Sequence, residues 1–208
     1  VGTVEPADQD FALGVASFYF GGVLKKSAPF KRSDLDPQAR FKKLVLLPLQ
    51  VSDYFAFNDT SKYKNQQELL MDVLNHAPSD VGVVVTQYVS SFVADMPIND
   101  QNIDGLKSAY PNLIFDRRFN CIDSVSQILL PSVDAVISVS SSVGLQAALC
   151  GKPVMSPSSS HLRALCEGQS LKAFFDSLLS GSCDTFHYRD FSAVLMKHFS
   201  FVKTETVF

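Results

Sequence analysis

Two apolar runs constrain this chain more than any other feature. Lys43 to Leu49 reads KLVLLPL, and Asp80 to Val89 reads DVGVVVTQYV. Neither alternates apolar with polar residues, so neither suits a sheet with one wet face. Strands of this kind are covered on both sides, and the ordinary cover is a layer of helices on each face of a parallel sheet.

The intervals between such runs support that arrangement. Asn65 to Ala77 places Leu69, Leu70, Val73 and Leu74 on one helical face. Ile98 to Pro111 reads as a helix that ends before its proline, NLIFD as a short strand, and CIDSVSQILLPS as a short helix. DAVISVS is a strand, VGLQAALCG a helix stopped by Gly151 and Pro153, and PVMS a short strand. Strand and helix alternate about five times, which predicts an α/β fold: a Rossmann-like parallel sheet with helices on both faces. Ligands of such sheets bind at the carboxyl ends of the strands. Residues 50 to 54, 86 to 90, 116 to 120 and 139 to 144 are therefore the places where a site is expected.

The chain divides into three parts on this reading. Residues 1–42 hold an aromatic helix, FALGVASFYFGGVL, and a charged, proline-interrupted linker over 25 to 42. Residues 43–160 form the Rossmann-like domain. Residues 161–208 supply two amphipathic helices, LKAFFDSLLS and FSAVLMKHFSFV, that pack on it. The aromatic stretch is too short to span a bilayer and lacks the basic flank of a signal peptide. The opening VGTVEPADQD reads as the interior of a longer protein.

Composition excludes several classes. A net charge of -3 and a pI near 5.8 argue against a nonspecific nucleic-acid binder, which needs a basic face to displace counterions. Cys121, Cys150, Cys166 and Cys183 fit no common zinc spacing and read as reduced thiols of a cytoplasmic protein, with Cys150 packed as a small hydrophobe. No histidine has ligand partners at useful spacing, so no metal site is expected. Glycine-rich dinucleotide, P-loop and G-x-S-x-G signatures are absent.

Three constellations carry chemistry. Ser140, Ser141 and Ser142 stand between a strand and a helix starting near Val143. The unpaired N–H groups of a helix start, its dipole and hydroxyls together suit a phosphate. Gly144 would then clear room for the ligand, and Gln146 would face a sugar hydroxyl. The same residues also read as a plain serine cap with a glycine for close packing. Gln50, Ser52 and Asp53 leave the first strand at its carboxyl end, where a carboxylate serves as base or nucleophile, or satisfies its own turn. His161 and Arg163, with Lys152 near them in sequence, offer cations for a phosphate or carboxylate.

The segment DAVISVSSSVGLQAALCGKPVM resembles a recurring stretch of the capsule polysaccharide biosynthesis family, which includes bacterial transferases for 3-deoxy-manno-octulosonic acid (Kdo). Ser140, Ser141 and Ser142 fall on that stretch's polar triplet, and Val143 to Ala147 on its glycine-containing helix start. Gly151 to Val154 fall on its Gly-Lys-Pro-Val end. KLVLLPLQVSDYF is similar to the family's Leu-Pro-Leu-Gln-Val-x-Asp strand, with Gln50, Val51 and Asp53 on the pattern.

The resemblance implies the C-terminal half of a GT-B glycosyltransferase acting on a surface or capsular polysaccharide. The donor, CMP-Kdo in the best-known members, is a substrate; no cofactor is expected. Asp53 and Gln50 would be catalytic. Ser140, Ser141, Ser142, Val143, Gly144, Gln146, His161 and Arg163 would hold the nucleotide sugar. Partners would be a glycan or glycolipid acceptor and a second domain absent from this chain, at the inner face of the membrane. The chain departs from the family in three places. Thr86, Gln87 and Tyr88 stand where it usually has a Lys-Pro-His-Pro-like element, Gln146 replaces a glutamate, and Ser140 an asparagine. These departures keep two alternatives open: a non-catalytic GT-B-like binding or assembly module, and a nucleotide-sugar epimerase-like enzyme.

Overall fold

The computed structural model describes residues 30–51, 55–88, 96–160, 162, 163, 166 and 170–183, together with positions 6, 7 and 10. In chain order the elements are α1 (Arg32–Leu35), β1 (Lys43–Leu49), α2 (Phe55–Asn58), α3 (Gln66–His76), β2 (Val81–Gln87), α4 (Ile103–Ala109) and β3 (Leu113–Ile114). Then come α5 (Val125–Leu129), β4 (Ala135–Ile137), α6 (Ser142–Leu149), β5 (Val154–Met155) and α7 (Leu171–Ser180). Short 3-10 turns at Arg117–Cys121 and Leu130–Ser132 flank α5.

The five strands form one sheet of order β3-β2-β1-β4-β5, and every neighbouring pair is parallel. Strand order reverses between β1 and β4, the arrangement that opens a crevice at the carboxyl ends of those strands. β1 and β2 pair along their whole length, from Lys43 opposite Val81 to Leu49 opposite Gln87. Pairing of β1 with β4 covers only Val45 with Ala135 and Leu46 with Val136. Pro48, which has no N–H to donate, lies just beyond that short ladder. A proline is tolerated in this central strand because its β4 neighbour has already diverged.

The buried strands sort their side chains between two cores, as a period of two requires. Val45, Leu47, Leu49, Val81, Val83 and Val85 meet Leu69, Leu70, Val73 and Leu74 of α3, Ile103 and Leu106 of α4, and Phe174, Phe175 and Leu178 of α7. Leu44, Leu46, Val84, Val136 and Val154 meet Val125 and Leu129 of α5 and Val143, Ala147 and Ala148 of α6. The helical predictions for residues 65–77, 121–132 and 171–180 are thus met by α3, α5 and α7, with the apolar face of α3 buried as its spacing requires. Several elements are shorter than expected, two of them next to the strand ends where a site is sought. The helix foreseen over 98–111 begins only at Ile103, and the strand foreseen to Ser140 ends at Ile137.

Helix ends follow local chemistry. Asn65 caps α3 by accepting from the N–H of Glu68 at 2.9 Å. Gly181, at φ 74, closes α7 in a left-handed conformation that glycine adopts without steric cost.

The described part of the expected linker is docked on the sheet. Leu35 and Phe41 are buried with Leu44 and Leu46. Asp36 is itself buried, and its carboxylate accepts from the N–H groups of Arg40 at 3.0 Å and Phe41 at 2.9 Å. Arg32 donates to Asp134 at 2.6 Å and to the carbonyls of Phe41 and Lys42, and Asp134 also accepts from the N–H of Leu44. Gly82 makes room: a Cβ there would fall 2.7 Å from both Leu44 and Phe41. The aromatic segment 11–24 and the helix expected over 191–202 lie outside the described residues.

Candidate functional site

A cleft of about 680 Å³ opens at the point where strand order reverses. Pro48 to Val51, leaving β1, form its floor, with Gln87 and Tyr88 at the end of β2. Ser141, Ser142 and Val143 form one wall, and residues 119–120 and 122–127 the other. Each of the four stretches singled out for its place at a strand end contributes described residues to this one cavity: Gln50 and Val51, Gln87 and Tyr88, Phe119 and Asn120, and Ser141 to Val143.

The mouth of α6 faces this cleft. Ser141 is the N-cap, and its hydroxyl accepts from the N–H of Val143 at 3.3 Å. Ser138 does the same for the N–H of Ser141 at 3.1 Å. Ser140 turns its hydroxyl to Gln50, donating to Oε1 at 3.2 Å, so the two sequence patches are in direct contact. Gln50 is further held through its backbone N–H, which donates to the side chain of Gln66 at 3.1 Å. The capping role of Ser141 is real, and Ser142 with Val143 still lines the cleft. Among the described lining residues none is Lys, Arg or His, and Asp123 is the sole carboxylate. Attraction for an anion here comes from hydroxyls, backbone N–H groups and the dipole of α6.

The opposite wall is built by hydrogen bonds. Gln87 clamps the peptide of Ile98, donating to its carbonyl at 2.7 Å and accepting from its N–H at 3.1 Å. The same Nε2 approaches Oδ1 of Asn120 at 3.5 Å. Thr86 and Ser126 share a hydroxyl hydrogen bond of 2.7 Å that ties β2 to α5. Ser124 adopts the left-handed conformation at φ 59 and ψ 27, costly for a residue with a Cβ, on the rim of the cleft. Asn120, Asp123, Ser124, Ser126 and Gln127 were not foreseen as site residues individually. The only signal available was that residues 116 to 120 follow a strand, and the short α5 carries no motif.

Several expected site residues are placed elsewhere. Gly144 is not a clearance for ligand: a Cβ there would lie 2.6 Å from the buried Leu162, so the glycine serves close packing of α6. Gln146 does not line the cleft. It sits four residues after Ser142 on the same face of α6, one turn deeper, and its Oε1 is buried without a hydrogen-bond partner among the described residues. Arg163 donates to the carbonyl of Ser156 at 3.2 Å and lines a separate cavity with Lys62, Asp72 and His76. Lys152 donates to the carbonyl of Val133 at 2.7 Å, at the amino end of β4 and so away from the strand ends that form the cleft. Cys150 is exposed rather than packed. Asp53 and His161 lie outside the described residues. Among these residues no helix is long and apolar enough to cross a membrane.

No curated protein matches the chain significantly. Among solved structures, KpsC of Thermosulfurimonas dismutans, a beta Kdo 2,7 transferase, is similar at 21% identity and a TM-score of 0.47, with 81% of this chain and 46% of that one covered. This chain therefore spans less than half the length of that protein. A sequence model described as capsule polysaccharide biosynthesis protein matches residues 25–160, which include the docked segment, the sheet, the cleft and both sequence patches. With well over half of its length in that match, the chain belongs to the capsule polysaccharide biosynthesis protein family.

Proposed function

We propose that this chain is the nucleotide-sugar-binding part of a GT-B-type glycosyltransferase that builds a capsular or related surface polysaccharide. The observation that carries the reading is the mouth of α6 opening, beside Gln50, onto the crevice where the sheet reverses its order. The phosphate of an activated sugar would lie against the hydroxyls of Ser141 and Ser142 and the N–H of Ser142 at the mouth of α6. Those groups would also stabilise the charge that builds on the departing nucleotide, the step on which transfer depends. Gln50 would contact the sugar, and Asp53, three residues on, is the candidate base or nucleophile. CMP-Kdo is the donor this reading favours, with a glycan or glycolipid acceptor reached through a second domain, at the inner face of the membrane.

The test uses CMP as probe with the full chain. Calorimetry is expected to show binding, and a crystal soaked with CMP to show its phosphate against Ser142. Ser142→Asp is chosen because a carboxylate in the first turn suits the helix dipole yet repels a phosphate. It is expected to preserve the melting temperature and weaken CMP at least tenfold. Unchanged affinity in that variant, or density elsewhere, would remove the reading.

One observation favours a second reading, a binding module without transfer chemistry. At the end of β2, where relatives usually carry a cation-bearing element, Thr86 and Gln87 spend their side chains on internal bonds. Sugar transfer by the complete protein, lost on Asp53→Asn with the fold intact, would reject it.

A further inference from the structure

We infer that a second cavity, on the face of the sheet covered by α3 and α7, binds the phosphate group of a small phosphomonoester. The cavity measures about 410 Å³ and shares no described lining residue with the cleft. Three cationic side chains reach it from three parts of the chain: Lys62 before α3, His76 at the end of α3, and Arg163 after β5.

Arg163 is the group that calls for a ligand. It is partly buried, and among the described residues it has no carboxylate partner. A charge withdrawn from water is normally paired. Its Nη1 donates to the carbonyl of Ser156 at 3.2 Å, which anchors the guanidinium and leaves its other N–H donors without a described acceptor.

Asp72 holds the other two cations in place. Nζ of Lys62 lies 3.4 Å from its carboxylate and 4.8 Å from the centre of the Tyr63 ring, whose hydroxyl donates to the same carboxylate. Nδ1 of His76 lies 2.8 Å from the carbonyl oxygen of Asp72 and 3.1 Å from its Oδ1. Two acceptors at one nitrogen keep the ring proton there, so Nε2 is the nitrogen left for a ligand. With His76 protonated against the ligand, three positive charges stand against the one of Asp72, a surplus of two. A phosphomonoester carries close to two negative charges at neutral pH, whereas a carboxylate carries one.

The start of α7 adds to this field. Ser170 spends its hydroxyl and carbonyl on the N–H groups of Ala173 and Phe174, and those of Leu171 and Lys172 have no described acceptor. Met155, Pro157 and Leu171 supply apolar wall, and the cavity is larger than a phosphate alone would fill. The remaining space suits the organic body of a monoester.

The experiment titrates the full chain with glucose 6-phosphate, inorganic phosphate and glucuronate, which carries a carboxylate on a similar ring. Glucose 6-phosphate is expected to bind most tightly. Arg163→Gln should weaken it about tenfold and Lys62→Gln about threefold, through loss of a charge-assisted hydrogen bond and of a more exposed charge. Ser142→Asp in the cleft, and Lys107→Gln at an exposed cation outside both cavities, should leave it within about twofold. Lys62 is largely exposed, so Lys62→Gln is expected to keep its melting temperature and decides the matter if Arg163→Gln fails to fold. No binding at millimolar concentration overturns the inference, as does unchanged affinity in Lys62→Gln, or glucuronate binding as tightly as glucose 6-phosphate. Inorganic phosphate binding as tightly overturns the monoester. Loss of glucose 6-phosphate in Ser142→Asp overturns this site alone, because it moves the phosphate to the cleft; the function proposed above is decided separately by CMP.

Discussion

Gly144→Ala separates a packing role from a ligand-clearing one. The added Cβ would lie 2.6 Å from Cδ1 of Leu162, 3.2 Å from its Cδ2 and 3.5 Å from its Cγ. Leu162 has no exposed surface, so its methyl groups cannot swing into solvent. Overpacking of this kind costs about 1–3 kcal/mol. Against it stands the helix propensity of alanine over glycine, about 1 kcal/mol in favour of the variant. The difference is a net loss of about 0–2 kcal/mol, which in a chain of this size lowers the melting point by about 2–4 °C for each kcal/mol. The sign should reverse once the obstacle is cut away. In a Leu162→Ala background, Gly144→Ala is expected to stabilise, since the new methyl group enters the cavity left behind. Thermal and urea unfolding of the four proteins of this cycle measure the coupling, with CMP titrations of the folded variants alongside. Undiminished stability together with lost CMP binding in Gly144→Ala would refute the reasoning, because it would place the glycine against the ligand.

Three further outcomes are expected. Gly82→Ala brings a Cβ within 2.9 Å of two buried side chains, Leu44 and Phe41, and of the partly buried Ile114. It should cost more than Gly144→Ala, about 2–3 kcal/mol in urea unfolding, and expose the 30–42 segment to limited proteolysis. Arg32→Ala removes one partner of a partly exposed pair and should cost less than about 1 kcal/mol, whereas Asp134→Ala also orphans the N–H of Leu44 and should cost about 1–3 kcal/mol. The phenol of Tyr63 is held well above its ordinary value of 10, first by burial and then by the hydrogen bond and charge of Asp72. A pKa raised in the folded state means that this contribution is complete below the unfolded value and is lost as pH climbs above it. Melting temperatures of wild type should therefore fall more steeply than those of Tyr63→Phe above about pH 10.

Much of the architecture was legible in local pattern. KLVLLPL and the valine run of β2 have no wet face, so a sheet covered on both sides was demanded before any contact was known. Leu69, Leu70, Val73 and Leu74 announced the buried stripe of α3. Gly151 marked the end of α6, where it sits at φ 70. The family resemblance of the serine triplet and of Gln50 pointed to the two patches that the fold joins through the Ser140–Gln50 hydrogen bond.

Other assignments needed the third dimension. Glycine before a helix turn reads the same whether it faces a ligand or a leucine, and only the position of Leu162 decides it for Gly144. Residues 30–42 look like a linker because they are charged, but Asp36 and Arg32 spend their charge on backbone groups and Asp134. Arg163 and Lys152 are near the serine triplet in sequence, yet each is drawn to a backbone carbonyl away from the cleft. Asn120 and Tyr88 carry no motif, and they meet at the cleft because β2 and the turn after β3 end beside it. Periodicity reports which face of an element is apolar, and this sequence determined its layers that way. Which polar groups converge depends on strand order and on bonds between residues far apart in the chain, so the tertiary structure alone decided the walls of the cleft.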